Sequence, residues 1–360
     1  MVDLATRSPF EPDRDGREQD GTEREGLERD GTEHDRTEQD RIEHDGTEQG
    51  RPEREGTEHD GTEQDRPERE GTVQGRPEQG RPDDRWSKVL ADTLAFARRR
   101  LTGDYEVDEF GFDPQVCDSV VLAALRPLAH SWFRVEVRGA DNIPAAGGAL
   151  VVANHSGTIP LDALITGLVV HDDAGRRLRM LGADLVFSLP FVGELARKTG
   201  VTKACAEDAE RMLAQGDLVG VWPEGFKGIG KPFSERYKLQ RFGRGGFVTA
   251  ALRTGVPIVP CSIVGAEEIY PMIANVPFLA RVLGVPYVPV TPFFPWLGPL
   301  GLVPLPSKWL IEFGPPITTD SYPEGAAEDP MLVFNLTDQV RETIQQTLFT
   351  LLEKRRGVFG

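Results

Sequence analysis

A histidine and an aspartate, His155 and Asp162, close the run Val151-Val152-Ala153-Asn154-His155-Ser156-Gly157-Thr158-Ile159-Pro160-Leu161-Asp162. An imidazole changes charge near neutral pH, and a carboxylate on its far nitrogen sets the tautomer and stabilises the imidazolium. Such a pair can strip a proton from an attacking hydroxyl. A histidine beside a loop can equally be a structural residue that only satisfies its own hydrogen bonds. Ser156 adjoins the histidine, but neighbours on an extended strand face opposite ways, which favours a loop role over a nucleophilic serine. A second group of polar residues follows the run Leu218-Val219-Gly220-Val221-Trp222-Pro223-Glu224-Gly225. Lys227, Lys231, Arg236, Lys238, Arg241 and Arg244 come directly after it. Arginines suit bidentate contact with phosphate, whereas a charge run can also be only a solvated face.

Both groups need a scaffold that ends in turns. Ala149 to Ala153 and Leu218 to Val221 are short apolar runs, each bounded by turn residues, as buried strands are. His155 would then sit at the carboxyl end of a strand, where open α/β sheets place their chemistry. Helices are expected over Asp113–Trp132, Asp162–Val170, Gly193–Thr199, Glu207–Gln215 with Gly216 as its stop, Gly245–Thr254 closed by Gly255, and Leu336–Lys354. Strands are expected over Phe133–Arg138, Arg179–Gly182, Val256–Val264 and Trp309–Phe313. Strands alternating with helices predict an α/β fold, a mostly parallel sheet flanked by helices.

The order and spacing of the blocks are specific. Asn154-His155 with a following Asp162, then Pro223-Glu224-Gly225 with its basic stretch, then Val256-Pro257-Ile258-Val259-Pro260, resemble the glycerolipid acyltransferase family over about residues 130–320. Its best-known members acylate lysophosphatidic acid. The resemblance implies an acyltransferase-like fold, with His155 as general base and Asp162 as its partner. The acyl donor would be acyl-CoA or an acyl-carrier protein, used as co-substrate with no resident cofactor or metal. It also implies an acceptor or phosphate pocket built from Glu224, Gly225, Lys227, Arg236, Arg241 and Arg244. Glu224 would grip a glycerol hydroxyl or brace a basic neighbour. The family carries a further basic residue between the outer blocks, and Gly200-Val201-Thr202-Lys203-Ala204-Cys205 offers Lys203. One departure stands out. The family leaves four residues between its histidine and aspartate, and this chain has six, Ser156 to Leu161. Asp184 and Glu224 are therefore alternative carboxylates for His155. A catalytically decayed lipid-binding or scaffold protein, or a thioester hydrolase, would share the same motifs.

The 360 residues divide into three parts by composition. Residues 1–84 hold a five-residue repeat in which Glu recurs at every fifth position from Glu23 to Glu68. They carry 28 acidic and 13 basic residues, so nearly all of the chain's net charge of −17 lies there. With almost no apolar residues, such a tail cannot offset its chain entropy, and it is expected to be disordered. Residues 85–130 are a helical segment, in which Val89, Leu90, Leu94 and Phe96 form an apolar stripe beside Arg98-Arg99-Arg100. The segment would lie on an anionic membrane surface or pack on the domain. By the same resemblance, residues 131–360 would make the acyltransferase domain, including the C-terminal helix, nearly balanced in charge and without an expected nucleic-acid partner. Val282 to Ser307 is uncharged yet too rich in proline to span a bilayer as a helix. It reads as a loop packed on the domain, or as a lip of the acyl groove dipping into the interface through Phe293, Phe294 and Trp296. Three scattered cysteines suit a reducing compartment. The polar N-terminus shows no signal peptide. The expected location is cytoplasmic, peripheral to the inner face of the membrane, with a lysophospholipid as acceptor.

Overall fold

The computed structural model describes residues 94–95, 97–103 and 105–360. The acidic repeat lies outside them, as do Val89, Leu90 and Phe96 of the proposed interfacial stripe. Among the described residues, one sheet takes seven strands in the order β1-β9-β6-β2-β5-β3-β4. These are β1 (Glu136–Arg138), β2 (Ala149–Ala153), β3 (Leu178–Gly182), β4 (Val201–Lys203), β5 (Leu218–Val221), β6 (Ile258–Val264) and β9 (Leu310–Phe313). Strands β6, β2, β5, β3 and β4 run parallel, β9 is antiparallel to β6, and β1 is parallel to β9. The expected fold class, a mostly parallel sheet flanked by helices, is the observed one.

The central strand explains the architecture. All five residues of β2 are buried, because helices cover both faces. Ala149, Val151 and Ala153 join a core that includes Phe133, Ile165 and Leu168. Leu150 and Val152 face the opposite core, with Val248, Leu336, Val340 and Ile344. The first layer is made by a helical stretch over residues 114–132 (α1) and by α2 (Leu161–Ala174). In α1 two wide-turn π-helical segments, Cys117–Leu122 and Leu128–Trp132, flank Ala123–Pro127. Pro127 has no N–H to give the α ladder at this point. Between β3 and β5 the chain forms α3 (Asp184–Ser188), α4 (Val192–Lys198), the edge strand β4 and α5 (Ala206–Ala214). A single turn, α6 (Phe226–Ile229), then precedes α7 (Gly246–Thr254). The opposite layer includes α7 and the last helix, described below.

Several boundaries differ from the sequence expectation for identifiable reasons. The strand expected from Phe133 begins at Glu136, since Phe133 is spent on stacking with Trp309 at 4.5 Å between ring centroids. Helix α2 continues to Ala174, where Gly175 at φ +63° ends it in the left-handed conformation. After β6 the chain leaves the sheet. It forms β7 (Ala274–Asn275), α8 (Pro277–Leu283) and β8 (Pro289–Val290), with β7 and β8 antiparallel. It then returns through β9 to α9 (Pro330–Lys354). That helix starts six residues before the expected Leu336. The Asp329 side chain accepts from the Met331 and Leu332 amides, and Pro330 occupies the first turn. No helix of the described residues is long and apolar enough to cross a membrane.

Candidate active site

The site forms where β2 stops. Strand pairing on its two sides is carried one step further by side chains. Toward β6, Asn154 Nδ2 donates to the Ile263 carbonyl at 3.0 Å, and the Ile263 amide donates to Asn154 Oδ1 at 2.7 Å. Toward β5, the His155 amide donates to Glu224 Oε1 at 2.9 Å. The strand end is thus gripped from both sides, through the Asn154 side chain toward β6 and the His155 amide toward β5.

The six residues after His155 return Asp162 to it. Gly157 at φ +93° and Thr158 at φ +63° turn the chain in the left-handed region. Two tight bonds, Ile159 amide to Gly157 carbonyl at 2.5 Å and Leu161 amide to Ile159 carbonyl at 2.7 Å, complete the loop. A Cβ on Gly157 would lie 2.8 Å from the Ala266 carbonyl, so the position is also closed to side chains. Asp162 falls in the first turn of α2, where the helix dipole favours a negative charge. Its Oδ2 lies 2.7 Å from His155 Nδ1 and accepts from the Ser156 amide at 2.9 Å. Asp162 is fully buried, while 13% of the His155 side chain reaches the surface. Among the described residues none bonds the His155 Nε2 atom. The two extra residues, compared with the family spacing, are absorbed by the left-handed turns.

The other carboxylates named from sequence are engaged elsewhere. Asp184 pairs with Lys203 at 3.0 Å, both exposed, at the β4 edge. Three strand spacings separate β4 from β2, about 14 Å. Lys203 therefore does not join the group around His155. Glu224 is buried with both oxygens given to protein donors. Oε2 accepts from the Gln240 amide at 2.7 Å and lies 3.4 Å from Lys231 Nζ. Of the two roles read for Glu224, the geometry presents the brace of a basic neighbour. Gly225 adopts φ +55°, ψ −142°, a backbone shape that glycine takes without strain. Lys227, Arg236, Arg241 and Arg244 are all exposed on the turn and loop that follow.

Three contributors were not singled out in sequence. Gly228 packs under the histidine: a Cβ there would meet the His155 carbonyl at 2.8 Å and His155 Cβ at 3.0 Å. Tyr287, from the excursion after β6, donates its hydroxyl proton to the Thr158 carbonyl and fastens the histidine loop. Burial raises its phenol pKa well above the ordinary range, and the Asp162 carboxylate adds to this. Glu267 lies in the turn after β6 with its Oε1 3.1 Å from Lys231 Nζ. Burial lifts its carboxyl to about 7, against a downward pull from Lys231. The only signal for it in sequence is the acidic pair Glu267-Glu268 directly after an apolar strand.

A buried carboxylate holds one nitrogen of an imidazole at the carboxyl end of a central parallel strand, an arrangement whose chemistry suits proton transfer. The profile of the Acyltransferase family matches residues 134–264, a span that contains His155, Asp162 and Glu224. The chain belongs to the glycerolipid acyltransferase family and is an acyltransferase. It is 60% identical over 275 residues to an uncharacterized protein, Rv0502, of Mycobacterium tuberculosis, covering 76% of this chain and 77% of that one. It is 24% identical over 153 residues to the chloroplastic 1-acyl-sn-glycerol-3-phosphate acyltransferase LPAT1 of Arabidopsis thaliana, 39% of each chain. Among solved structures, the 1-acyl-sn-glycerophosphate acyltransferase PlsC of Thermotoga maritima aligns with a TM-score of 0.44 and 20% identity. That alignment covers 66% of this chain and 80% of PlsC.

Proposed function

We propose that the protein moves a fatty acyl group from acyl-CoA or an acyl-carrier protein to a hydroxyl of a lysophospholipid or glycerol-phosphate-type acceptor. His155 is the general base. The observation that carries this reading is the 2.7 Å contact between His155 Nδ1 and the buried Asp162 carboxylate. With Nδ1–H held by Asp162, Nε2 is the basic nitrogen and faces the acceptor. It takes the hydroxyl proton as the oxygen attacks the thioester carbonyl. The tetrahedral intermediate collapses, the C–S bond breaks, and the thiolate takes the proton back from the imidazolium to leave as thiol. Ester and thiol are the products, and no enzyme nucleophile is consumed. The exposed Lys227, Arg236, Arg241 and Arg244 would meet the acceptor phosphate, with Lys203 a more distant cation. The six-residue spacing that motivated a decayed site does not separate the pair.

The acceptor's chemistry calls for a membrane surface, and the excursion after β6 supports one. Between Glu268 and Lys308 it carries a single charge, Arg281. Phe278, Val282, Leu283, Trp296 and Leu300 are each at least 60% exposed on it. Its Tyr287 holds the His155 loop, so this apolar face adjoins the proposed site. The reading is a peripheral enzyme at the cytoplasmic face of the membrane.

The test is transfer from radiolabelled acyl-CoA, or acyl-carrier protein, to a panel of lysolipids and simple alcohols. His155→Ala should keep the fold and lose about 10²–10⁴ of the rate, the range of general-base catalysis. An unchanged rate in that variant overturns the proposal.

A further inference from the structure

We infer that Lys231 and Glu267 are positioning residues, forming with Glu224 a buried charged brace that sets His155 and the basic loop in register with each other. The inference rests on the reading of His155 as the base. The brace joins three separate turns. Glu224 follows β5, Lys231 follows α6, and Glu267 follows β6. Lys231 Nζ lies 3.4 Å from Glu224 Oε2 and 3.1 Å from Glu267 Oε1, and it donates to the Lys238 carbonyl at 3.1 Å. Glu267 Oε1 also accepts from the Tyr237 amide at 3.0 Å. None of the three side chains is more than 4% exposed.

Two carboxylates and one ammonium out of water are an expensive way to fill a core. Apolar residues of the same volume often do as well or better for stability. What the charges supply is direction. Glu224 must present one oxygen to the His155 amide, and Lys231 holds the other oxygen so that it can. The same Lys231 and Glu267, with Glu224, take the main chain of residues 237, 238 and 240, the stretch between Arg236 and Arg241. One buried cluster therefore fixes the main chain of the proposed base on one side and of the proposed phosphate loop on the other. Burial lifts Glu267 to about 7, with Lys231 pulling it down and the Glu224 charge adding a smaller upward push. Misplacing a base by 1 Å costs up to about 10² in rate, so the brace should be felt in turnover.

The experiment compares Lys231→Met, Lys231→Arg, Glu267→Gln and His155→Ala. Steady-state kinetics use acyl-CoA with lysophosphatidic acid, normalised to the folded fraction. Lys231→Met and Glu267→Gln should each lower kcat about tenfold or more while KM for acyl-CoA stays within about twofold. Lys231→Arg, which keeps the cation, should recover most of the loss. Their double variant Lys231→Met/Glu267→Gln should be no worse than the poorer single one, because both remove the same brace. If Lys231→Met fails to fold, the nearly isosteric Glu267→Gln carries the test. A kcat within twofold of wild type in Glu267→Gln, beside an inactive His155→Ala, overturns the brace and leaves the base intact. An active His155→Ala overturns the reading on which the brace rests.

Discussion

Single atoms decide most of what this site can do. Asp162 has no exposure, and its Oδ2 is divided between His155 Nδ1 and the Ser156 amide. Asp162→Asn keeps the shape but can present an amide N–H where an acceptor is needed, which favours the wrong tautomer. The variant should lose roughly 10²–10⁴ in kcat with little change in thermal midpoint. Turnover beside a melting curve would check both halves. Glu267 makes a separate, pH-dependent contribution. Its folded carboxyl titrates at about 7 against an ordinary 4.5. Between those values the folded state holds a proton that the unfolded state has released. Its contribution to stability is therefore full below 4.5 and is lost as pH rises through 7. Glu267→Gln has no such proton, so its thermal midpoint should vary less across that window than wild type. A slope unchanged from wild type would show that the carboxyl titrates normally.

At the scale of elements, the site depends on how β2 ends. Asn154 makes two side-chain bonds to the Ile263 main chain and so continues the β2–β6 pairing past Ala153. Asn154→Ala leaves both Ile263 groups buried and unpaired. It should cost about 1–3 kcal/mol for each, measured by urea unfolding, and lower activity by loosening His155. An Asn154→Ala stability equal to wild type would mean that the strand end is held by packing alone. The apolar runs of β2, β5 and β6 were legible because both faces of a covered sheet are apolar. Helix α9 was legible through its stripe of Leu336, Val340, Ile344, Leu348 and Leu351, all buried. Its first turns were missed because the Asp329–Pro330 cap precedes the stripe. The short α3, α6 and β4 were missed as well: three to five residues carry no period to read.

Along the whole chain, charged and apolar stretches are segregated. The acidic repeat carries nearly all of the net charge, while the 39 residues between Glu268 and Lys308 have one charged side chain. Isolated exposed apolar residues are ordinary, but several on one nearly uncharged excursion point to a surface that something covers. Under the proposed function the cover is lipid. Phe278→Ser/Trp296→Ser should reduce co-sedimentation with phosphatidylglycerol vesicles several-fold. It should leave turnover on a soluble short-chain acceptor unchanged, since neither residue lies among the groups around His155. Vesicle binding equal to wild type would assign that face to another partner.

The sequence alone determined the family, through the order and spacing of its motif blocks, and the mostly parallel α/β fold with His155 at a strand end. The fold and that placement follow from strand-length apolar runs that end in polar residues, and such local patterns survive in one dimension. It could not decide which carboxylate serves His155, because the loop between them closes through backbone angles at Gly157 and Thr158 rather than through spacing. Nor could it distinguish the buried Lys231 from the exposed cations around it, or bring Glu267 to Glu224 across 43 positions of chain. Those pairings exist only because parallel strands place the turns after β2, β5 and β6 at one end of the sheet. Burial there gives each charge a partner that no linear pattern records.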